Sequence, residues 1–561
     1  MKSGSNLKIN NIYIFFVLLF FLLSLRIIYL QVFRKTFFQN LAQNQYYRLI
    51  PLSGRRGSIY DRRGRILATV INNHSVFADP AIIDDSEATA RILSSYLDIP
   101  LQELQAKLTR KKRFVWLKRK ISWSEKERIK ALKLKGIGFV REHKRFYPQE
   151  SLASSVLGIT DIDKKGLDGL ELFYDNYLRA KDGMVRVLQD SALHEIILTP
   201  QIISPQEGKS LVLAIDSQIQ YWVEKYLEET IKKFSAKEGS VVVMDALTGE
   251  ILALSNYPYF NPNNTKNISI EVMRNKAVCD MFEPGSVFKA VTLVAAIDQN
   301  KFSDSENFFC ENGSFKIPGS TLHDWKPYGT LTFREVFKKS SNIGVAKIAN
   351  SLGGQTIYTY IKKMGFGEET GVDLPGEIKG SIKPPRSWSN TSSYIIPIGQ
   401  EIGVNLMQLV RAFAIIANGG YLVEPHIVKE VYSQTYYKDF TGVPKQVVSQ
   451  ATSNRAKDIL IAVVEDGTGK LAQVAGAKVG GKTGTAQKYD PSVGRYSSSQ
   501  YRASFVGFIA DLNPPIVIGV SVAEPKKSHF GGVVAAPLFK KIAEMAIKYL
   551  GAAQYNEKLG Q

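Results

Sequence analysis

The most constraining feature of this chain is an apolar run near its amino terminus. Residues Ile12 to Leu30 are apolar or aromatic apart from Ser24 and Arg26. These nineteen residues match the length that an α-helix needs to cross a bilayer. A cleaved signal peptide is the alternative, but the run is longer than a usual signal core and no small-residue cleavage site follows it. We therefore predict one uncleaved membrane anchor after a short tail at residues 1–11.

The charges around this run do not fix its orientation. Lys2 and Lys8 precede the apolar residues, and Arg34 and Lys35 follow them. Because the cytoplasmic side of a membrane helix usually carries the excess of Lys and Arg, a nearly even count favours neither side. The orientation must be inferred from other features.

The rest of the chain is long enough for several domains. At about 150 residues per domain, 561 residues predict three or four. A content of 44% hydrophobic and 22% charged residues is typical of globular proteins, and the formal charge of +20 suits an anionic membrane or polymer without choosing between them. Two cysteines and six histidines argue against a disulfide scaffold and against a zinc enzyme. We expect neither a metal nor another cofactor.

Over half of the excess positive charge lies between residues 101 and 150. This segment has sixteen Lys or Arg and five Glu, with basic runs at Arg110–Arg113 and Lys118–Lys120. Such runs most often form the solvated face of a structured domain, although they can also bind anionic lipid, nucleic acid or an acidic partner. No zinc-finger spacing or aromatic RNA-binding signature accompanies them. We predict a structured, partly solvated surface and no nucleic-acid partner.

Turn and strand signals divide the region beyond the anchor. Residues 31–50 have the pattern of a mixed helix, which Pro51 ends. Residues 56–68 form two short alternating runs around an Asp61-x-x-Gly64 turn, which is typical of a hairpin. A proline-containing and glycine-containing linker at residues 202–208 predicts a domain boundary near residue 205.

The region after this boundary has strands at both ends and helices between them. Two largely apolar runs joined by a Thr-Gly turn predict a hairpin. This grouping favours an α+β domain with an antiparallel sheet and a helical insertion over alternating βαβ units. The predicted strands are Gly239–Asp245, Glu250–Ser255, Phe505–Ala510 and Ile516–Val522, and the helical patterns are Val287–Ile297, Leu331–Phe337, Ile343–Leu352 and Leu406–Ala417.

A serine and a lysine three residues apart open one of these helical patterns. In Ser286-Val-Phe-Lys289 the two side chains share one helix face. A lysine buried near the positive end of a helix has a lowered pKa, so a neutral amine could take the serine proton. The pattern is weak alone, because Ser5-Asn-Leu-Lys8 also fits it and a serine here could simply cap the helix.

Two further segments follow in the order that serine-acylating penicillin-recognising enzymes require. Ser340-Ser-Asn342 lies between two helical patterns, where a loop can present a hydroxyl and an amide to a cleft, although Ser305-Glu-Asn307 also fits this triplet. Lys482-Thr-Gly-Thr485 provides an ammonium and two hydroxyls that can hold a carboxylate, with a glycine that allows close approach to a strand.

The lysine of the third motif also fits a phosphate-binding pattern. Residues Gly476 to Thr483 match G-x-x-x-x-G-K-[ST] completely. A P-loop must lead directly into a helix whose amino terminus faces the phosphates, but residues 484–494 are rich in helix-breaking residues. The context therefore disfavours a nucleotide-binding site.

The three ordered motifs resemble those of the class B penicillin-binding proteins, which are monofunctional peptidoglycan D,D-transpeptidases. The resemblance covers nearly the whole chain, and the division-specific FtsI branch is the most similar. Arg56–Gly64 is similar to the family's pedestal signature, and residues 274–289 are similar to the approach to its nucleophile. Other similar segments are Tyr328–Thr332, Gly399–Gln400, Ala417–Gly420, Asp466–Gly469 and Gly531–Pro537.

The resemblance implies an α+β protein with one transmembrane helix, an elongated pedestal and a penicillin-binding transpeptidase domain. The last would have an antiparallel sheet flanked by helices and an all-helical insertion. It would lie on the outer, periplasmic side of the cytoplasmic membrane. The implied segments are a cytoplasmic tail at 1–11, the helix at 12–30, a dimerisation-type pedestal at 31–205, the transpeptidase domain at 206–551 and a tail at 552–561.

The family's chemistry is an acyl-enzyme cycle on a D-alanyl-D-alanine terminus. The resemblance implies that Ser286 attacks the penultimate carbonyl and that Lys289 takes its proton. Ser340 is implied to relay a proton to the departing D-alanine with help from Lys482.

Substrate-binding roles follow from the same motifs. Asn342 is implied to hydrogen-bond the donor peptide, and Thr483 and Thr485 to bind its terminal carboxylate beside Gly484. Backbone N–H groups of Ser286 and Thr485 would form the oxyanion hole.

The implied partners are peptidoglycan stem peptides ending in D-Ala-D-Ala, β-lactams, the membrane, a SEDS-type glycan polymerase and other division proteins. The polymerase is expected because the sequence has no recognisable glycosyltransferase module. An elongation-type transpeptidase of the same family and a catalytically silent divisome scaffold are the alternatives, and the intact motifs count against the scaffold. We predict free thiols at Cys279 and Cys310, with Cys279 as a small buried hydrophobe near the cleft.

Overall fold

The computed structural model describes residues 3–39, 47–112, 114–189, 195–266, 268–440, 442–490 and 495–559. Contacts divide the chain into two compact units. The first consists of residues 1–55 and 180–207, and the second of residues 56–179 and 208–561.

Strands and helices are numbered in chain order. The strands are β1 (Tyr47–Leu52), β2 (Ile59–Tyr60), β3 (Ile66–Ala78), β4 (Val115–Ile121), β5 (Ile137–Phe146), β6 (Gly183–Gln189), β7 (Glu195–Ile203), β8 (Ser210–Leu213), β9 (Glu238–Asp245), β10 (Ile251–Tyr257), β11 (Asn307–Phe309), β12 (Ser314–Ile317), β13 (Ser320–His323), β14 (Thr330–Thr332), β15 (Tyr421–Leu422), β16 (Val428–Ser433), β17 (Tyr436–Asp439), β18 (Lys445–Gln446), β19 (Val479–Asp490), β20 (Arg495–Ile509) and β21 (Ile516–Ala523). The helices are α1 (Ser3–Ile28), α2 (Ser86–Leu97), α3 (Leu101–Leu108), α4 (Trp123–Ala131), α5 (Ser154–Leu157), α6 (Gly169–Phe173), α7 (Asp175–Leu178), α8 (Ser217–Phe234), α9 (Ile270–Met273), α10 (Lys276–Cys279), α11 (Lys289–Asp298), α12 (Phe333–Lys338), α13 (Asn342–Leu352), α14 (Gly354–Lys363), α15 (Ser392–Ile395), α16 (Leu406–Ala417), α17 (Gln450–Asp466) and α18 (Gly531–Leu559).

Helix α1 is the apolar run predicted as an anchor. A π-helical turn at Tyr29–Phe33 continues it, and the apolar stretch from Ile9 to Phe33 covers 25 residues with a mean hydropathy of 2.5. At 1.5 Å per residue this helix is longer than the roughly 30 Å of a hydrocarbon core. Among the described residues it is the one helix of sufficient length and apolarity to cross a membrane. The chain thus fits a single-pass membrane protein, and the apolar stretch extends three residues beyond the predicted run on each side.

The helix predicted over residues 31–50 is wrong at its end. Strand β1 starts at Tyr47 and pairs antiparallel with β6, which also pairs with β7. Residues 40–46 lie outside the described ranges. Strand β1 contains Pro51, which a strand tolerates at the edge of a sheet because an edge residue need not donate a ladder hydrogen bond. The aromatic and branched residues of β1 form a strand because β6 supplies a pairing partner that the sequence pattern does not reveal.

The hairpin predicted at residues 56–68 is confirmed. Strands β2 and β3 pair antiparallel, and Gly64 adopts a φ of 78° in the turn, where its N–H donates to the Asp61 carbonyl at 3.0 Å. A buried ionic cluster lies beside this hairpin. The fully buried Glu171 accepts hydrogen bonds from Nε of Arg56 and from Nε of Arg145, each at 2.6 Å.

The basic segment is a structured and partly solvated surface, as predicted. It contributes β4, α4 and β5, and β3 lies between β4 and β5 in the sheet. Many of its charges pair within the surface, for example Arg119 with Glu142 at 2.5 Å and Lys118 with Glu125 at 3.0 Å. Of the run at 110–113, residue Arg113 lies outside the described ranges.

The second unit also has a five-stranded antiparallel sheet in the order β10-β9-β21-β20-β19. The predicted hairpin at residues 239–255 is β9 and β10. Side chains of β9 alternate between two cores: Val241 and Val243 pack with α8 and α18, whereas Val242 and Met244 pack with α11 and α16. This mixed architecture confirms the α+β prediction.

Most predicted helices of this unit are present. The patterns at 343–352 and 406–417 correspond to α13 and α16, and α16 is buried along its whole length. The helix predicted at Leu331–Phe337 begins two residues later, after the short strand β14. The reason is a capping box, because the Thr332 hydroxyl accepts from the Glu335 N–H while the Glu335 carboxylate accepts from the Thr332 N–H.

Candidate active site

Ser286 and Lys289 lie on one face of a tight helical turn. The prediction that the α-helix opens at Ser286 is wrong by three residues, since Gly285–Phe288 form a 3₁₀ turn and α11 starts at Lys289. Residues three apart eclipse one another in a 3₁₀ helix, so the two side chains still share a face. Gly285 adopts a φ of 53° and donates its N–H to the Gly399 carbonyl at 3.0 Å, which fixes the start of the turn.

The ammonium group of Lys289 is buried and fully hydrogen-bonded. Its Nζ donates to the Ser340 carbonyl at 2.7 Å, to the Ser340 hydroxyl at 3.2 Å and to Oδ1 of Asn342 at 2.7 Å. The side chain has no solvent exposure, and this burial lowers its pKa to about 7. Near neutral pH the amine can therefore act either as a base or as an acid.

Ser340 lies in the loop between α12 and α13, as predicted, and Asn342 is the first residue of α13. Ser340 has a φ of 58°, a left-handed conformation that is unfavourable for a residue with a side chain. Such strain persists where surrounding contacts determine the conformation. Here Ser341 caps α13, because its hydroxyl accepts from the Gly344 N–H at 2.9 Å. The loop thus presents the Ser340 hydroxyl to two lysines.

Lys482 reaches the same hydroxyl from β19. Its side chain is 1% exposed, and Nζ donates to Oγ of Ser340 at 2.8 Å. Burial, together with the nearby charge of Lys289, lowers the pKa of Lys482 well below its usual range. Because Lys482 lies within a strand of the antiparallel sheet rather than before a helix, the P-loop interpretation is wrong.

Thr483 and Thr485 flank Gly484 on the same strand. Oγ1 of Thr485 accepts a hydrogen bond from the N–H of Gly531 at 2.9 Å, and Gly531 is the first residue of α18. The positive end of this 29-residue helix therefore lies beside the Thr485 hydroxyl, whose own proton stays available for an anion. Oγ1 of Thr483 contacts Oγ1 of Thr468 at 3.4 Å.

Gly484 has a packing role that the sequence interpretation missed. A Cβ atom at this position would lie 2.8 Å from the Pro284 carbonyl oxygen, 2.8 Å from Cγ2 of Val287 and 2.5 Å from Oγ of Ser504. The glycine thus allows the 3₁₀ turn with Ser286 to pack directly on β19. This packing is a structural reason for the glycine in addition to the substrate approach that was predicted.

Sequence reasoning also missed Asp324. Its carboxylate accepts hydrogen bonds from the Ser341 hydroxyl at 2.6 Å, from the Ile343 N–H at 3.2 Å and from the Asn342 N–H. These donors lie at the amino terminus of α13, where a negative charge is favoured. The Asp324 charge also raises the pKa of Lys289 and so opposes the effect of burial. No motif marks this residue, because it lies sixteen residues before Ser340 in a separate loop.

The two cysteines are free thiols, as predicted. Cys310, rather than Cys279, contacts the catalytic loop region, since the Ser341 hydroxyl lies 3.4 Å from its sulfur. The sulfur of Cys279 lies 4.0 Å from the Pro375 carbonyl. Burial raises the pKa of both thiols, so neither is an activated nucleophile.

The geometry brings two lysines together on the hydroxyl of Ser340, next to the turn that carries Ser286. Lys289 and Lys482 both donate to Oγ of Ser340, so a proton can pass between the two nitrogens through one hydroxyl. Two buried ammonium groups so close together repel each other, which favours one mobile proton over two fixed charges. Such a group can deprotonate a hydroxyl nucleophile and then protonate a leaving amine.

Family models match both parts of the chain. Residues 239–544 match the penicillin-binding protein transpeptidase domain, and residues 51–213 match the penicillin-binding protein dimerisation domain. Together these matches cover most of the chain outside the amino-terminal helix.

Known relatives are similar along nearly their full lengths. The chain is 34% identical to the probable peptidoglycan D,D-transpeptidase PenA of Neisseria gonorrhoeae, over 98% of this chain and 93% of that protein. It is 30% identical to the peptidoglycan D,D-transpeptidase FtsI of Escherichia coli, over 92% of this chain and 87% of that protein.

A solved structure has the same fold. Penicillin-binding protein 3 of Mycobacterium tuberculosis, in complex with aztreonam, superposes with a TM-score of 0.71 at 29% identity, covering 90% of this chain and 97% of that one. With the two matched domains and full-length relatives, this likeness assigns both the family and its substrate class. The chain belongs to the class B penicillin-binding proteins and is a β-lactam-binding transpeptidase that acts on peptidoglycan.

Proposed function

We propose that Ser286 is the acylated nucleophile of this transpeptidase and that Lys289 is its base. The observation that carries the proposal is the convergence of Lys289 and Lys482, both fully buried, on the single hydroxyl of Ser340. A neutral Lys289 accepts the Ser286 proton as Oγ bonds to the penultimate carbonyl carbon of a stem peptide ending in D-Ala-D-Ala. The carbonyl oxygen becomes an oxyanion, which the N–H groups of Ser286 and Thr485 stabilise.

The second half of acylation needs a proton for the leaving amine. Oγ of Ser340 accepts hydrogen bonds from both lysines, so its own proton is free to point towards the substrate. We propose that Ser340 gives this proton to the nitrogen of the departing D-alanine while Lys482 replaces it. An amine of a neighbouring stem then attacks the acyl-enzyme by the same steps in reverse order, which forms the cross-link and frees Ser286.

Substrate binding follows from the groups around this cluster. We propose that the hydroxyls of Thr483 and Thr485 hold the terminal carboxylate beside Gly484, with the positive end of α18 adding attraction. Nδ2 of Asn342 donates to the His323 carbonyl at 2.8 Å, while its Oδ1 accepts from Lys289. This pair of bonds fixes the amide plane of Asn342, which we propose lies against the backbone of the donor peptide.

Turnover of a synthetic pentapeptide ending in D-Ala-D-Ala tests these roles. We expect Lys289→Ala and Ser340→Ala each to lower the rate of D-alanine release by about 10² to 10⁴-fold, since each removes a general acid–base group. Ser305→Ala is the matched control, because Ser305 belongs to the second S-x-N triplet of the sequence and contacts neither lysine. An equal loss of turnover in Ser305→Ala and Ser340→Ala would contradict the assignment.

We further propose that this transpeptidase works at the division septum, with its catalytic domain outside the cytoplasmic membrane. The similarity to FtsI supports the septal role, and the peptidoglycan substrate supports the orientation. We also propose that the pedestal extends over residues 31–205 and the transpeptidase domain over residues 206–551. A fluorescently tagged copy should concentrate at division sites, and uniform labelling of the lateral wall would instead favour the elongation-type alternative.

A SEDS-type glycan polymerase is the partner that we propose for the anchor and the pedestal. A monofunctional transpeptidase needs nascent glycan strands from another enzyme. Replacing residues 12–30 by an unrelated membrane span should reduce co-purification with the polymerase and impair division. Undiminished recovery of the polymerase together with normal division would contradict this proposal.

A further inference from the structure

A cavity of about 610 Å³ lies beside α8, away from the lysine cluster. Helix α8 packs on β10, which is the edge strand opposite β19 in the five-stranded sheet. Four strand spacings of about 4.8 Å separate these edges, or about 19 Å. None of the residues of the active site lines this cavity. Its volume falls within the usual range of about 300 to 1,000 Å³ for ligand sites.

The cavity has a buried carboxylate at its floor and charged groups of both signs at its rim. Glu224 is only 9% exposed and forms part of the floor. Arg65 and Lys225 line the exposed rim, together with the ring of Tyr221, which is 50% exposed. Glu228 also lines the rim, where its carboxylate pairs with Lys232 at 2.6 Å. Tyr259 is half-buried and lies beside Glu224, since its hydroxyl donates to the Glu224 carbonyl.

The carboxylate of Glu224 is only partly satisfied by the protein. Its Oε1 accepts from the Ala153 N–H and from Nε2 of Gln220, both at 2.8 Å. In the part of the chain that the structure describes, no group donates to Oε2. Burial, with a smaller contribution from the charge of nearby Glu228, raises the pKa of Glu224 to about 7. The Oε2 atom is not fully buried, and Glu224 lines the cavity, so a cation bound there could reach Oε2 and pair with it.

We propose that this cavity is a second, non-catalytic site for a peptide that carries both a primary ammonium group and a carboxylate. The ammonium would donate to Oε2 of Glu224 between the rings of Tyr221 and Tyr259, which attract a cation through their faces. The carboxylate would lie at the rim against Arg65 and Lys225. The peptide with this chemistry that a peptidoglycan transpeptidase meets is an uncross-linked stem peptide with a diamino acid. Only this last identification rests on the proposed function.

Calorimetric titration of the full-length protein tests the site after penicillin has blocked the active site. The probes are stem tripeptides acetylated at the amino terminus, with lysine or diaminopimelate as the third residue, and the control ligand is the lysine tripeptide with its side-chain amine also acetylated. We expect one molecule of at least one tripeptide to bind per blocked enzyme and side-chain acetylation to weaken binding at least tenfold. We expect the peptide-free disaccharide of the glycan strand to bind more weakly than the tripeptide.

Variants distinguish the cavity from other surfaces. Glu224→Gln keeps an oxygen acceptor for the Ala153 N–H and should weaken tripeptide binding at least tenfold. Lys225→Gln, at the exposed rim, should weaken it severalfold without any effect on folding. Lys233→Gln is the matched control, because Lys233 is an exposed residue of α8 outside the cavity. Tripeptide binding to this variant should equal that of the wild type.

Several results would overturn the inference. They are no binding to the blocked enzyme at millimolar tripeptide, unchanged binding in both Glu224→Gln and Lys225→Gln, or tighter binding of the disaccharide or the side-chain-acetylated peptide. Penicillin labelling tests the proposed function independently of the cavity, and labelling should stay normal in Glu224→Gln. If penicillin failed to label the wild type, the same titration on Ser286→Ala would still test the cavity.

Discussion

Replacing Asp324 by asparagine should change the pH dependence of acylation by penicillin. Acylation needs neutral Lys289, whose pKa is about 7, so the wild-type rate should rise with pH through neutrality. Between pH 6 and pH 8 the neutral fraction of a group with this pKa rises about tenfold. The charge of Asp324 raises the pKa of Lys289. Without this charge, the midpoint of the pH–rate profile should lie at a lower pH than in the wild type. The ratio of the acylation rates at pH 8 and pH 6 should therefore be closer to one.

The same substitution should also loosen the loop that holds Ser340. Asp324 accepts three hydrogen bonds at the start of α13, and each bond to a charged acceptor contributes about 1.5 to 3 kcal/mol. We therefore expect a lower unfolding midpoint and a lower maximal acylation rate in Asp324→Asn. Stopped-flow acylation by a fluorescent penicillin from pH 5.5 to pH 9 measures both the midpoint and the maximum.

Asp466→Asn is the matched control for this experiment. Asp466→Asn removes a carboxylate that is 79% exposed and pairs with Lys338, so its pH profile should equal that of the wild type. A midpoint in Asp324→Asn that stays unchanged or moves to higher pH would refute the electrostatic coupling between Asp324 and Lys289.

Three further substitutions or treatments test other parts of the structure. Gly484→Ala should lower the free energy of unfolding by about 1 to 3 kcal/mol and slow penicillin labelling, because the new Cβ would lie 2.8 Å from the Pro284 carbonyl oxygen. The control Gly551→Ala places its Cβ in open space and should change neither stability nor labelling. Glu171→Gln should destabilise the second unit by about 3 to 5 kcal/mol in thermal unfolding, since two buried arginines lose their shared counter-charge. The exposed Glu87→Gln should change stability by less than about 1 kcal/mol. Both cysteines should react with an alkylating reagent in the denatured chain without reductant, and an unlabelled intact mass would contradict free thiols.

The sequence predicted those parts of the fold that local patterns determine. The hairpin of β9 and β10 and the helix α16 have continuous apolar patterns, so their bounds agree closely with the structure. The strand β1 was mistaken for helix because its pairing partner, β6, lies more than a hundred residues away in the chain. A pairing at such a distance leaves no local signal.

The site residues likewise divide into those that a local motif identifies and those whose role depends on distant parts of the chain. Three short motifs identified both lysines and Ser340 because each motif is contiguous in sequence. Asp324 could not be found in this way, since its importance arises from three hydrogen bonds that exist only when its loop packs on α13. The packing role of Gly484 likewise depends on the 3₁₀ turn, which meets β19 only in the folded chain.

The most direct test of the central claim is the site of covalent attachment of a β-lactam. The full-length protein is incubated with a labelled penicillin, digested with trypsin and analysed by peptide mass spectrometry. We predict one adduct on the peptide from Ala277 to Lys289, carried by Ser286, with no adduct in Ser286→Ala and a strongly reduced yield in Lys289→Ala. Lys482→Ala should label more slowly but on the same serine. An adduct on another peptide, or one that persists in Ser286→Ala, would contradict the assignment of Ser286 as the nucleophile.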